Sequence, residues 1–272
     1  MKDYLEKLFG LSSKVAIVTG AAGQLGAEYV RALLKAGAYV AAFDIWLENP
    51  KGKLKEIKSK KIILEKVDIT KRSSIEEGLN NVLSRLGNPN ILINNAALDT
   101  PPNVSELDTG PFETYPEKSW QQMMEVNLKG MFLCCQVIGG NMAKTGGGSI
   151  INISSIYGLV SPNQKIYEYK RKKGNIFYKP IGYSVSKSGV YNLTRYLATY
   201  WAGKNVRVNT LTLGGVYNKQ EKEFLDNYCS IIPIERMANQ DEYNGAILFL
   251  SSDASRYMTG ANLVIDGGWT AL

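Results

Sequence analysis

Short runs of β-branched and other apolar residues alternate with helical patterns along almost the whole chain, and this alternation limits the fold more tightly than any single motif. Residues 14–19 (Lys-Val-Ala-Ile-Val-Thr) read as a buried strand, 38–43 as a second, 62–67 as a third and 90–93 as a fourth. A fifth is expected over 149–153, a sixth over 206–211 and a last one over 262–265. Between them, helical patterns are expected from Leu25 to Lys35, Lys51 to Lys60, Ser73 to Leu86 and Pro116 to Met142. Further helices are expected from before Tyr183 to about Trp201, over 220–227 and over 240–250. Strands that alternate with helices favour a parallel sheet covered on both faces. The expected architecture is α/β: a three-layer, doubly wound sheet of about seven strands in one domain spanning residues 1–272.

A glycine-rich turn, Thr19-Gly20-Ala21-Ala22-Gly23-Gln24-Leu25-Gly26, joins the first strand to the first of these helices. Glycines there let the backbone turn tightly and approach a pyrophosphate, which then sits on the helix N-terminus; this is the Rossmann-type arrangement. Asp44 ends the second strand, 18 residues after Gly26. A carboxylate at that place accepts hydrogen bonds from the adenosine ribose and repels a 2′-phosphate. Ile45 and Trp46 follow it, with no adjacent cation. The expected cofactor is therefore NAD(H) in preference to NADP(H).

Tyr183 and Lys187 lie four residues apart, one helical turn, and so share a helix face. A free tyrosine, with a pKa of about 10, is a poor proton donor or acceptor at neutral pH. An ammonium one turn away is expected to favour the phenolate and lower that pKa. Ser155, at the end of the fifth strand, supplies a hydroxyl to hold a carbonyl or alcohol oxygen against the phenol. Such a set moves a proton on and off oxygen while another group moves a hydride.

Other chemistries are narrowed by what the chain lacks. It has no histidine, which removes His-based triads, His–metal sites and His proton shuttles. Cys134 and Cys135 sit in an apolar helical run and Cys229 stands apart, so neither a disulfide framework nor metal-ligand spacing is present. Buried thiols, an N-terminus without an apolar signal segment and no run long enough to span a bilayer point to the cytoplasm.

Taken in order, Thr19-Gly20…Gly26, Asp44, Asp68, Asn94-Asn95-Ala96, Asn127, Ser155, Tyr183…Lys187 and Asp266-Gly267-Gly268 resemble the short-chain dehydrogenase/reductase family from about Lys14 to Gly268. The resemblance implies roles. Asp68 and Ile69 would lie against the adenine, and Asn95 and Ala96 would line a cofactor ribose. Tyr183 would be the proton donor or acceptor, Ser155 would bond the reacting oxygen, and Lys187 would bind the nicotinamide ribose. Asn127 would hold a water linking Lys187 to solvent, and the backbone of Val216 would orient the carboxamide. Family members are commonly dimers or tetramers built on the two long helices, so a homo-oligomer is expected. The spacing of the glycine turn resembles the extended branch, whereas the length and the Asp266-Gly267-Gly268 ending resemble the non-extended one, which is preferred. The chain departs from the family at Ala97, Leu213 and Asn218.

The largest departure separates Ser155 from Tyr183 by 27 residues, far more than is usual in the family. The added segment, 161–180, is basic: residues 165–179 carry six cations and one acid, +5 of the chain's net +7. Because both of its ends are candidate catalytic residues, it is expected at the mouth of the site. Lys170, Arg171, Lys172 and Lys173, with Tyr157 and the interleaved aromatics, become candidate contacts for an anionic substrate such as a phosphorylated or nucleotide-linked sugar. The phrase 155–163 also resembles reductases of surface-carbohydrate or flagellin modification. The alternatives are a 3-oxoacyl-type or other small-carbonyl reductase and, in another class, a non-catalytic dinucleotide sensor. Outside the insertion the chain carries only +2, so a nucleic-acid or membrane-surface role is not expected.

Overall fold

The computed structural model describes residues 2–49, 52, 54–100 and 105–272. Its strands are β1 (Val15–Thr19), β2 (Tyr39–Asp44), β3 (Ile62–Lys66), β4 (Ile91–Asn94), β5 (Gly148–Ser155), β6 (Val206–Leu213) and β7 (Asn262–Ile265). They form one parallel sheet in the order β3-β2-β1-β4-β5-β6-β7. The order reverses between β1 and β4, which opens a crevice at the carboxyl ends of those strands, where doubly wound sheets bind ligands.

Successive residues of a strand face opposite sides, and β1 shows both faces buried. Ile17 packs with Ile75, Leu79 and Val82 of α3 (Arg72–Arg85) on one side. Ala16 and Val18 pack with Tyr29, Val30 and Leu33 of α2 (Gln24–Lys35) on the other. The first of these layers also receives the helix over residues 117–144 (α4) and, after the short α5 (Glu168–Lys172), α6 (Ile181–Tyr200). The second receives α8 (Asn244–Ser251). The near-continuous apolar runs seen in the sequence are thus the signature of two-sided burial.

Several boundaries differ from expectation for identifiable reasons. The long helix α4 is continuous but widens into π-type turns at Glu125–Gly130 and Cys135–Gly139. The basic stretch expected to be helical from Lys51 to Lys60 holds only a 3₁₀ turn at Leu54–Glu56, while Lys51 and Lys53 lie outside the described residues. Gly52 explains the loss: a Cβ there would stand 2.4 Å from the Ala22 carbonyl, so the loop folds down onto the glycine turn. An N-terminal helix, α1 (Lys2–Phe9), had no counterpart in the sequence reading. The expected helix at 220–227 lies at Lys222–Cys229 (α7).

The helix bearing Tyr183 and Lys187 is pinned to the sheet by polar groups in an otherwise apolar layer. Asn152, fully buried in β5, accepts from Asn94 Nδ2 (2.8 Å) and donates to Thr194 Oγ1 of α6 (2.9 Å). Thr210 of β6 donates to the same hydroxyl (2.8 Å). In a low-dielectric interior such a chain is strong when satisfied and costly when cut. Asn152→Ala is expected to lower stability by about 3 kcal/mol in urea unfolding, because it removes two buried hydrogen bonds and leaves a cavity. Asn152→Asp should not rescue it.

Candidate active site

The glycine turn owes its shape to contacts no side chain would permit. Gly20 has φ +63°, and a Cβ on it would lie 2.7 Å from Ala96 Cα at the end of β4. A Cβ on Gly26 would lie 2.1 Å from the Gly20 carbonyl. Gly23, at the start of α2, offers no side-chain cap, and Gln24 and Leu25 open onto the crevice. Thr19 organises the opposite wall: its hydroxyl accepts from the backbone N–H groups of Asn95 and Ala96 (both 3.1 Å). The Asn95 amide donates back to the carbonyls of Thr19 and Gly20 (both 3.1 Å). Asp44 ties the second strand to the turn, accepting from the backbone N–H groups of Ala22 (2.9 Å) and Trp46 (2.8 Å). A carboxylate has about four lone-pair sites, so two remain for a ribose.

These residues fit a dinucleotide: a side-chain-free turn at a helix N-terminus, a carboxylate at the end of β2, and a cleft of about 780 Å³ running from Gln24 past Asn95 to Ser155, Tyr183, Lys187 and Val216. Gln24 also donates to the Tyr217 carbonyl (2.9 Å), bridging the cleft between the glycine turn and the loop after β6.

The two residues expected at the adenine both have local partners. Ile69 turns its side chain into the core, against Gly130 of α4, so it has none to offer a base. Asp68 folds back on its own loop, accepting from Thr70 Oγ1 (2.7 Å) and the Thr70 N–H (3.0 Å), with Lys71 3.3 Å away. Burial alone would raise its pKa, but these partners outweigh it and hold the carboxyl below its ordinary value.

At the far end of the cleft, Ser155 closes β5 and caps a single helical turn (Ile156–Leu159), its hydroxyl accepting from the Tyr157 N–H (3.2 Å). The same hydroxyl lines the cleft beside the Tyr183 phenol, near enough to favour its ionised form. Lys187 is buried and donates to the Ile153 carbonyl (2.9 Å), with Nζ 5.9 Å from the Tyr183 ring centre. The sequence therefore assembles the expected trio. The electrostatics differ from expectation, however. Burial pushes the Tyr183 phenol up, the Asp99 carboxylate adds to that, and only the Ser155 hydrogen bond works against them. Lys187 is itself lowered to about 8 by burial, partly offset by Asp99. An ammonium engaged with a backbone carbonyl in a dry site does little to acidify its neighbour.

Asn127 sits in the first wide turn of α4, fully buried. Rather than addressing Lys187 directly, it accepts from the Leu98 N–H (2.7 Å) and donates to the Leu98 carbonyl (2.9 Å) and to Ser186 Oγ (3.0 Å). It thereby locks the loop after β4 to α6. The Val216 carbonyl accepts from Gln220 Nε2 (2.8 Å) at the cleft wall.

The basic insertion does return to the cleft, but most of its charge is spent internally. Lys170 lines the cleft and lies 3.7 Å from Glu221. Lys172 pairs with Glu168 (3.4 Å) and Lys173 with Glu223 (2.6 Å), both well exposed and away from the cleft lining. Arg171 braces the loop by donating to the carbonyls of Phe177 and Gln164 (both 2.8 Å). Arg171, Lys172 and Lys173 are thus corrected from substrate contacts to structural ones. Tyr157 lines the cleft, packed edge-on to Trp269 at 6.3 Å. Sequence reasoning missed Lys179 and Asp99, which pair with each other beside Tyr183, as well as Tyr228, whose hydroxyl accepts from the Gly215 N–H (2.8 Å).

A strand-end serine beside a tyrosine in one cleft, a buried lysine one turn on and a glycine-rich dinucleotide turn are the marks of one protein class, and the chain belongs to it: the short-chain dehydrogenase/reductase family of NAD(P)-dependent oxidoreductases. The family model described as Enoyl-(Acyl carrier protein) reductase matches residues 20–270. An NAD-dependent glycerol dehydrogenase from Listeria innocua is 33% identical over 97% of each chain. A D-threitol dehydrogenase from Mycolicibacterium smegmatis is 32% identical over 96% of this chain and 95% of its own. A solved short-chain dehydrogenase from Leptospira borgpetersenii with bound NAD+ matches with a TM-score of 0.84 at 32% identity, over 98% of this chain and 95% of that one.

The depressed Lys187 makes a prediction about the unliganded protein. From pH 8 to about 10 the unfolded chain holds this proton more firmly than the folded one, so stability rises with pH through that window. Relative to Lys187→Met, wild-type protein should gain up to about 3 kcal/mol in urea unfolding between about pH 7 and pH 10. A flat difference would refute the buried, partly neutral lysine.

Proposed function

We propose that the protein is an NAD(H)-dependent dehydrogenase/reductase that moves a hydride between nicotinamide and the carbon of a small carbonyl or secondary alcohol. The single observation that carries this reading is that Ser155, Tyr183 and, one helical turn on, Lys187 line the far end of a cleft that begins at the glycine turn. Bound nicotinamide would give or take the hydride. The residues of the chain handle the oxygen. Ser155 holds it by hydrogen bonding, and Tyr183 delivers its proton in reduction or receives it in oxidation. Its raised pKa keeps the phenol protonated in the free protein. Lys187 holds the ribose, and Asn127 fixes the loop and helix on which these groups stand.

The cleft favours a polyhydroxylated substrate. Its wall presents the rings of Tyr157, Tyr167 and Tyr228 beside Asp99, Gln220 and Glu221, and aromatic faces with carboxylates suit sugars and polyols. The relatives named for glycerol and D-threitol support the same class. An anionic sugar, the finer expectation, would have to seat on Lys170, the one cation of 170–173 that lines the cleft, in competition with Glu221 3.7 Å away. Free, buried thiols at Cys134 and Cys135, the latter pushed up to about 12 by burial, support a reducing, cytoplasmic setting. Among the described residues no helix is long and apolar enough to cross a membrane. Exposed Phe132 on α4 and Val185, Tyr196 and Tyr200 on α6 support an oligomer formed through those helices.

Tyr183→Phe should reduce kcat by about 10³-fold or more while NADH binding, followed by fluorescence, stays within about twofold. Loss of binding with chemistry retained would overturn the assignment. NAD(H) preference is supported by the Asp44 carboxylate at the cleft end of β2. Asp44→Ser should raise the NADP+/NAD+ ratio of kcat/KM by about 10- to 100-fold, since like charges brought together cost several kcal/mol.

A further inference from the structure

The insertion does one thing that its net charge does not explain: it carries Lys179 into the site. The Lys179 side chain is only 9% exposed, and its Nζ lies 4.9 Å from the Tyr183 ring centre, nearer than Lys187. A lysine this buried is paired almost without exception, and its partner is Asp99, from the loop after β4. Both face the cleft that holds Ser155 and Tyr183. The placement is built rather than incidental. Gln164 accepts from the Lys179 N–H (2.9 Å) and donates to its carbonyl (3.4 Å). Arg171 clamps the carbonyls of Gln164 and Phe177, and the Tyr178 N–H donates to the Thr109 carbonyl (2.7 Å). The insertion is a frame around one ammonium.

We infer that Lys179 and Asp99 together recognise a hydroxyl on the carbon next to the reacting one, so that the preferred substrates are vicinal diols and the corresponding α-hydroxy carbonyls. The inference rests on the dehydrogenase reading above and adds to it. Ser155 and Tyr183 already account for the reacting oxygen. Beside the phenol stand a donor with three N–H bonds and an acceptor with no hydrogen of its own. A hydroxyl both accepts and donates, and so satisfies the two at once. An alkyl group offers neither bond beside the buried ammonium, and a carboxylate or phosphate at that carbon meets the negative Asp99, which reaches the cleft from its exposed rim. The same Asp99 charge is felt by Tyr157, Tyr167, Tyr183 and Lys187 around the cleft.

The test compares butane-2,3-diol with butan-2-ol, identical in carbon skeleton, in wild type, Asp99→Asn and Lys179→Met. Wild type should favour the diol by about 30- to 100-fold in kcat/KM with NAD+, and each variant should bring that ratio close to one, chiefly through the diol KM. Any general effect of the lost charge on Tyr183 acts on both alcohols and cancels in the ratio. Ligand-observed NMR measures diol binding without turnover in the same proteins. Hydride transfer without a diol preference, or a preference that survives in both variants, overturns the inference and leaves the reaction standing. Diol binding that depends on the pair, without hydride transfer, upholds the inference and removes the dehydrogenase reading. Neither binding nor preference overturns the inference outright.

Discussion

One amide in the middle of the sheet sets the geometry on which the candidate chemistry depends. Asn152 reaches Asn94 on one neighbouring strand and Thr194 on the helix above, and Thr210 reaches the same threonine from the other side. Apolar packing alone holds a helix on a sheet with tolerance for rotation and sliding, because dispersion and hydrophobic contacts are non-directional. Two directional bonds from the sheet to the buried Thr194 hydroxyl remove that freedom, and the bond from Asn94 fixes Asn152 itself. The rotation of α6 then decides that Tyr183 and Lys187 face Ser155 rather than the core or solvent. A second bracket, from Asn127 to Leu98 and Ser186, fixes the same helix against the loop that carries Asp99.

The fold was legible because two-sided burial writes itself into composition. Strands such as 15–18 and 150–153 are apolar at nearly every position, and the glycines at 20 and 26 stand where contacts under 3 Å forbid a Cβ. The stretch after β2 was misread because its lysines follow a helical rhythm, whereas its conformation is set by Gly52 meeting the glycine turn, a contact between distant parts of the chain. Long-range context overrides local pattern in such places.

The trio of Ser155, Tyr183 and Lys187 was equally legible, since helical spacing and a strand end locate it without any tertiary knowledge. Its electrostatics were not. A sequence shows that a lysine is one turn away; it does not show that the lysine is buried and engaged with Ile153, nor that Asp99 stands across the pocket. The insertion failed in the same way. Six cations in fifteen residues suggested a free positive surface, but Glu221 and Glu223 of the α7 region, some fifty positions further on, meet Lys170 and Lys173. Which charges remain available is a property of the folded surface rather than of the count.

The insertion and α7 share a small core of their own, in which Ile166 and Tyr167 pack with Tyr228, Ile232 and Met237. This satellite core is separate from the two layers that grip the sheet. Ser155 and Tyr183, which flank the insertion, stand on β5 and α6 of the main layers and not on the satellite. The chain is therefore modular in an evolutionary sense: the satellite can be lengthened, trimmed or recoloured with new side chains, altering what is admitted, while the proton-handling groups keep their places.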